Sequence, residues 1–392
     1  MRPISPIDHF RKTVQTTSRA EELQSFAGQV IGTMCNFVPE ELILAAGGVP
    51  VRMCAGSAEA EKEAEEIFPR DACPVVKSSL GLSMRGDGLW KRLDMLVVPT
   101  ACDGKKKLAE ILSRTVPVHV MSLPASKTAP GAREMWLHAV RLFQESLEKL
   151  TGHRIAKDRL RSAIEALNER ARAFRQLFEV RRLRPSVITG EDALYVTNAS
   201  FVDDPACWTK ETLALCEALK AAHREGRFAR PADAPRILLT GAPLIYPNFK
   251  VARVIESAGA VIAIDELCSG TQRLYTPCVP KEWTMKEMLI AVADKYLLPS
   301  TCPCFVESAD RVNRLLELVE EFAVDGVVYH NLRMCQLHDV ESFTIKAALA
   351  RRNIPLLVVY SDYSPEDTPQ LRTRVQAFLE MIGDRRPAIA AR

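Results

Sequence analysis

The sequence predicts an α/β protein: two similar parallel-sheet domains of the Rossmann or flavodoxin-like kind, joined by a helical segment. Three observations carry that prediction. Apolar runs of strand length alternate with helical patterns, and each strand of a parallel sheet needs such a crossover to return in the same direction. The alternation occurs twice in the 392 residues, once towards each end, with a mostly helical stretch between. Among the 11 cysteines are two triplets of matched spacing, Cys35, Cys73 and Cys102 and then Cys268, Cys304 and Cys335, each spanning 67 residues (102 − 35 and 335 − 268).

In chain order, Gln29 to Met34 reads as a strand that delivers Cys35. Pro39 to Ala46 reads as a helix, its proline suited to a first turn where an N–H would have no partner, and Gly47 and Gly48 stop it. Leu93 to Val98 has the unbroken apolar character of a strand buried on both faces. Pro99 to Gly104 is its loop, Lys105 to Leu112 the next helix and Val116 to Met121 a further strand. From about Ala132 to Phe228 the pattern is helical and amphipathic: Leu142, Phe143, Leu147 and Leu150, then Leu160, Ile164, Leu167 and Ala171, with a break near Pro185 and Gly190. The last part repeats the first. Arg236 to Thr240 is a strand, Phe249 to Ala258 a helix, Ala260 to Ile264 a strand running into Cys268, and Asp325 to Tyr329 a strand ahead of Cys335, with helix Val340 to Arg351 and strand Leu356 to Tyr360 closing the unit. The expected divisions are residues 1–131, an N-terminal α/β domain, 132–230, a helical connector, and 231–392, a C-terminal α/β domain.

Composition narrows the function. Lys plus Arg and Asp plus Glu stand at 52 and 49, with the basic residues dispersed, so there is no polyanion-binding footprint and nucleic acid is not an expected partner. Residues 1–20, with Pro3, Asp8, His9, Lys12 and Arg19, lack the apolar core of a signal peptide, and no later run reaches the roughly 18 apolar residues of a membrane span. The expectation is a cytoplasmic protein without membrane association. In that reducing compartment an odd number of scattered thiols argues for metal ligation or redox chemistry rather than a disulfide framework. Cys54, Cys207, Cys216 and Cys278 are assigned to ordinary burial, where free thiols are common.

Ligands of open parallel sheets gather beyond the carboxyl ends of the strands, and Cys35, Cys102, Cys268 and Cys335 all follow expected strands. Two such crevices facing one another would unite the triplets. Zinc favours four ligands, usually in close pairs, whereas the only close pair here is Cys302-Pro303-Cys304. Sulfur-only ligation from distant loops suits an iron-sulfur cluster. Spacing alone leaves iron-sulfur, zinc and inert thiols open.

The segments around these cysteines carry a resemblance. Gly32-Thr33-Met34-Cys35-Asn36-Phe37-Val38-Pro39-Glu40-Glu41 with Ala45-Ala46-Gly47 comes first, followed by Cys73-Pro74-Val75-Val76-Lys77-Ser78-Ser79. Thr100-Ala101-Cys102-Asp103-Gly104-Lys105-Lys106-Lys107 is next, and Asp325-Gly326-Val327-Val328 leads to Cys335, Glu341-Ser342 and Ile345-Lys346. In that order they resemble the motifs of the 2-hydroxyacyl-CoA dehydratase and benzoyl-CoA reductase family, of the 2-hydroxyglutaryl-CoA dehydratase D-component type, from about residue 25 to 382. The resemblance implies a single 4Fe-4S cluster on three cysteines, whose counterparts are Cys73, Cys102 and Cys335. Cys35, Glu266-Leu267-Cys268-Ser269-Gly270 and the Cys302, Cys304 pair resemble the double-cubane subgroup, in which six cysteines of one subunit hold two 4Fe-4S units. By that resemblance the ligands are Cys35, Cys73, Cys102, Cys268, Cys304 and Cys335, with Cys302 competing for the place of Cys304. Phe305-Val306-Glu307-Ser308 departs from the Thr/Ser-Pro-Asn usual after that pair.

The resemblance further implies an iron-sulfur enzyme that reduces a substrate at an interdomain cluster. On a double cubane the substrate is a small molecule; on a single cubane it is an acyl-CoA, dehydrated at the 2-hydroxyacyl group or reduced in a ring. A non-catalytic electron-transfer protein is the alternative of another class. Electrons are expected from a separate ATP-dependent iron-sulfur activator protein, and the absence of Gly-rich nucleotide motifs is consistent with that division of labour. A homodimer is the expected assembly. Three sets of polar residues remain. Lys77, Ser78 and Ser79 either hydrogen-bond cluster sulfides or simply begin a helix, and the second reading is preferred. His330 and His338 bracket Cys335 as candidate proton donors or as satisfied side chains. Lys105, Lys106 and Lys107 read mainly as a solvated run.

Overall fold

A computed structural model describes residues 6–15, 28–86 and 88–390, without the side chains of 385–390. The stretch 1–20, read above as lacking a signal peptide, lies partly outside the described residues. Its described part is a helix, α1 (Pro6–Gln15), whose Phe10 is buried against Trp208.

The first half contains β1 (Val30–Thr33), α2 (Glu40–Ala45), β2 (Val49–Arg52), α3 (Ala58–Glu63), α4 (Pro74–Arg85), β3 (Met95–Pro99), α5 (Asp103–Leu112) and β4 (Val118–Met121). All four strands are parallel, in the order β2-β1-β3-β4. The central strands β1 and β3 are buried along their whole length, as their unbroken apolar runs require, while β4 at the edge is half exposed. Gly47 takes φ +82° just after α2, a conformation that ends a helix cheaply only at glycine.

Four helices follow: α6 (Ala132–Thr151), α7 (Lys157–Arg181), α8 (Gly190–Ala199) and α9 (Pro205–Arg224). The break between α7 and α8 falls at the Pro185 to Gly190 segment, and Thr189 caps α8 by accepting from the Asp192 N–H. The second half contains β5 (Arg236–Gly241), α10 (Lys250–Ser257), β6 (Val261–Glu266), α11 (Thr271–Leu274), α12 (Met285–Leu297), α13 (Ala309–Glu321), β7 (Gly326–Leu332), α14 (Gln336–Ala350), β8 (Leu356–Ser361) and α15 (Thr368–Ala390). Its strands are again all parallel, in the order β6-β5-β7-β8, which repeats the topology of the first sheet strand for strand. The fold class is therefore as the sequence predicts. Helix α14 starts at Gln336, directly after Cys335, rather than at Val340. Among the described residues no helix is long and apolar enough to cross a membrane.

Candidate metal centre

Each half presents thiols where its strands end. Cys35 lies just past β1, Cys54 past β2, Cys102 past β3, Cys268 past β6 and Cys335 past β7. The two sets meet. Cys73 and Cys335, one from each half, pack against the same apolar group and shift each other's pKa, and Cys35 lies within electrostatic reach of Cys268, Cys302 and Cys102. Cys302 neighbours Cys304, and both pack against the apolar group that contains Cys35, Phe37 and Phe305. The six cysteines named from the sequence thus converge on one region between the carboxyl ends of the two sheets, and Cys302 shares it.

Three of them sit at helix starts. Cys73, Cys102 and Cys335 are the residues immediately before α4, α5 and α14, where the first turn of a helix leaves N–H groups without intrahelical partners. The amides of that first turn lie beside the sulfur and lower each thiol's pKa, those of Val75 and Val76 at Cys73, of Lys105 at Cys102 and of His338 at Cys335, although the Val76 N–H itself donates to the Cys73 carbonyl at 3.0 Å. With the partial positive charge of a helix N-terminus, this favours thiolates. Cys35 is held differently, at φ +86°, a left-handed conformation rare outside glycine. The Asn36 amide donates to its sulfur.

The charge in the centre comes from two cations of the first half. Burial disfavours the Cys35 thiolate, but the charges of Lys105 and Arg52 outweigh that and bring its pKa below the ordinary thiol value. Lys105 is held well above its usual pKa, because Cys35, Cys54, Cys102 and Cys268 surround it and overcome its desolvation. The first lysine of the run is therefore not a solvated one. The Cys73 pKa is lowered, chiefly by the neighbouring Cys335, and Cys335 is raised by Cys73 and by burial. Burial raises Cys268 and Cys102.

Buried ion pairs fix the loops that carry these thiols. Glu40, at the start of α2, pairs with Arg170 at 2.6 Å and Arg273 at 2.5 Å, joining the Cys35 loop to α7 and to α11 beyond Cys268. Its neighbour Glu41 takes Lys295 at 2.6 Å and the Tyr296 hydroxyl at 2.8 Å. Glu266 accepts from Gln272 at 2.7 Å and Thr301 at 2.6 Å, tying the turn of Cys268 to the loop of Cys302. Arg311 bridges Glu266 and Glu341, and burial pushes the Glu341 carboxyl up to about 7. The unusual segment after Cys304 joins the halves: Phe305 packs edge-on against Phe37, Val306 donates to the Ala125 carbonyl, and Glu307 accepts from Thr128 and Ser126.

The other polar candidates are spent on structure. Lys77 donates to Glu65 and the Arg70 carbonyl and pairs with Glu61; Ser79 bonds the Val75 carbonyl; Ser78 accepts from the Ser57 amide. His330 is buried with Nδ1 3.1 Å from the Ala242 carbonyl, and His338 meets the Tyr329 hydroxyl. Lys106 and Lys107 are exposed in short-range ion pairs. Sequence reasoning missed Lys105 and Cys54, for which the available signals were a position three residues after an N-terminal Cys102 and a place after a strand.

An iron-sulfur cluster accepts hydrogen bonds at its sulfur atoms, and the residues around the thiols fit such a group. Two buried donors face the region without partners: Arg52 Nε, on a side chain near Cys35 and Cys268, and the Tyr363 hydroxyl, near Cys73, Cys54 and Cys335. Leaving a buried hydroxyl unpaired costs about 1–3 kcal/mol, so an acceptor placed there restores the balance. Among the described residues, the group close enough to hold one metal ion by itself is His9, Asp203 and Cys207, not the central thiols. His9 Nε2 there is already 2.8 Å from Asp203, a contact that accounts for the grouping by docking α1. The wider separation of the central thiols suits a cluster rather than one ion. A cavity of 260 Å³ opens at Arg52 and Cys54, lined also by Trp90, Asn198, Phe201 and Tyr246 and by none of the six central cysteines.

Residues 35–382 match the family described as 2-hydroxyglutaryl-CoA dehydratase, D-component. The protein YjiM of Escherichia coli (strain K12), provisionally named a dehydratase subunit, is 37% identical over 356 residues, covering 90% of this chain and 91% of its own. The (R)-phenyllactyl-CoA dehydratase beta subunit of Clostridium sporogenes is 23% identical over 92% of this chain and 94% of its own. One of the subunits of the benzoyl-CoA reductase of Thauera aromatica is 22% identical over 90% and 91%.

Proposed function

This chain belongs to the 2-hydroxyglutaryl-CoA dehydratase D-component family, and on that premise we propose that it is a cytoplasmic iron-sulfur enzyme. It receives low-potential electrons from a separate ATP-dependent activator protein and reduces a small molecule at a double-cubane cluster. The cluster lies between residues 1–131 and 231–392, and the protein assembles as a homodimer. Cys35, Cys73, Cys102, Cys268 and Cys335 supply five ligands, and Cys304 or its neighbour Cys302 the sixth. The observation that carries the reading is the meeting of both cysteine triplets at the carboxyl ends of two topologically repeated sheets.

When bound, such a cluster supplies one-electron chemistry at strongly negative potential. The chain's own residues do the rest. Helix N-termini at Cys73, Cys102 and Cys335 and the Lys105 ammonium offset the negative charge of thiolates and sulfides. The Glu40 and Glu266 pairs hold the ligand loops in register, and the packing of Phe305 on Phe37 anchors the segment after Cys304 to the first half.

A second reading is a single cubane on Cys73, Cys102 and Cys335, acting on an acyl-CoA as one subunit of a dehydratase or reductase. It is favoured by the fact that these three alone among the six precede helices, and by the acyl-CoA named for the relatives. Iron and acid-labile sulfide measured on anaerobically purified protein decide between them: roughly eight irons per chain for the first, roughly four for the second. Cys35→Ala or Cys268→Ala should lower iron substantially on the first reading and leave it unchanged on the second. A chain that takes up no iron on anaerobic reconstitution sinks both. Turnover with an activator, ATP and a 2-hydroxyacyl-CoA separates an enzyme from an electron carrier.

A further inference from the structure

We propose that the Tyr363 hydroxyl is a hydrogen-bond donor to the sulfur atoms held at Cys73 and Cys335, and that it sets the reduction potential of that part of the cluster. The inference deepens the cluster reading above and rests on it. Tyr363 follows β8, is 6% exposed, and packs with Val75, Ala242 and Leu332, with Cys54, Cys73 and Cys335 against the same group. Its hydroxyl has no hydrogen-bond partner. If packing were the whole role of this ring, phenylalanine would fill the same apolar niche without leaving a buried O–H unmatched.

The loop around it is built to aim the ring. Lys250 donates from Nζ to the carbonyls of both neighbours, Asp362 at 3.0 Å and Ser364 at 2.5 Å, and pairs with Asp367. Asn248 adds a bond to the Asp362 carbonyl at 3.3 Å, and the Ser364 amide donates to the Asp362 carboxylate at 2.9 Å. The backbone on either side of Tyr363 is thereby fixed by a residue from α10. A hydroxyl so placed beside two sulfur ligands finds its acceptor in sulfur. An O–H donated to sulfur withdraws electron density from it, stabilises the reduced state and raises the potential.

Wild type and Tyr363→Phe, purified and reconstituted anaerobically with iron and sulfide, test this. The measurements are iron and sulfide per chain, the midpoint potential from an EPR-monitored redox titration, and the shift of iron-sulfur stretching bands in D2O by resonance Raman spectroscopy. The expected result is equal iron, a more negative midpoint in the variant and loss of part of the D2O shift. Equal midpoints and equal D2O shifts at equal iron overturn the role of Tyr363 while leaving the cluster reading intact. Wild type without iron overturns the cluster reading, and this role with it. Should the phenylalanine variant load less iron, 3-fluorotyrosine incorporated at position 363 keeps the shape and strengthens the donor: its midpoint must move positive, and an unmoved midpoint overturns the proposal.

Discussion

Glu40 shows how much one buried carboxylate holds in place. It is 5% exposed, and two guanidinium groups from distant helices converge on it, Arg170 from α7 and Arg273 from α11. Burial alone would raise its pKa, but Arg170 and Arg273 more than reverse that and keep it well below the ordinary carboxylate value. Removing the acid strands two cations away from water, the situation in which breaking a buried pair costs about 3–5 kcal/mol. Glu40→Ala is expected to lower the unfolding free energy by that order in urea titrations of the apo protein; a loss under about 1 kcal/mol would refute it. The Pro39-Glu40-Glu41 motif is legible as a motif, yet its role is not, because its partners lie 130 and 233 residues further along. Lys105 is illegible for the opposite reason. Local context makes it one of three similar lysines, and only the helix that begins after Cys102 turns the first of them inward while Lys106 and Lys107 stay out.

At the scale of elements, the alternation of apolar runs and amphipathic helices locates the strands β1, β3 and β4 to β8 to within a few residues, because strands buried in a parallel sheet leave an unbroken apolar signature. The edge strand β2, Val49–Arg52, is too short and too interrupted by Pro50 to announce itself. The start of α14 escapes a reading of propensity since Gln336, His338 and Asp339 are polar, and propensity does not register a helix that starts directly behind a buried cysteine. The central strand β7 carries a titration signature of its own. His330 is 2% exposed, and burial lowers its pKa from 6.5 to about 4, with Lys250 adding to the effect and the Ala242 carbonyl opposing it. A depressed folded-state pKa means that the unfolded chain takes up the proton first. The stabilisation from keeping His330 neutral is therefore full above pH 6.5 and is lost as pH falls through about 4, an effect of about 3 kcal/mol. His330→Leu is expected to flatten the pH dependence of unfolding free energy between those limits relative to wild type. Equal slopes for the two proteins in urea titrations from about pH 7 to pH 4 would show that His330 is not the group concerned.

At the scale of the whole molecule, the strand order β2-β1-β3-β4 is repeated as β6-β5-β7-β8, which makes Cys102 and Cys335 equivalent, each after the third strand of its unit, and makes Cys54, not Cys35, the counterpart of Cys268, each after the second. The equal span of the two triplets is therefore not a product of the repeat. The alternation of strands and helices discloses the repeat but not how the copies face each other, since that depends on close contacts between segments far apart in sequence. Gly56 marks such a contact. It follows β2 in the first half, and a Cβ added there would lie 2.1 Å from the Ile245 carbonyl oxygen and 3.1 Å from that of Tyr246, both beyond β5 in the second half. These are backbone atoms, so no rotamer change relieves the clash, and the two halves must shift apart beside Cys54. Overpacking of this kind costs about 1–3 kcal/mol. The site should feel it more than the fold, because ligands drawn from both halves need their loops within reach of one cluster, whereas each sheet keeps its own core. Gly56→Ala is accordingly expected to retain the far-UV circular dichroism of wild type while loading less iron per chain. The variant Gly86→Ala serves as control, since a Cβ at Gly86 meets no atom within 4 Å and its strain at φ +61° stays at the exposed end of α4. If Gly56→Ala loads as much iron as wild type and unfolds at the same urea concentration, the close approach at Ile245 is not what brings the two sets of thiols together.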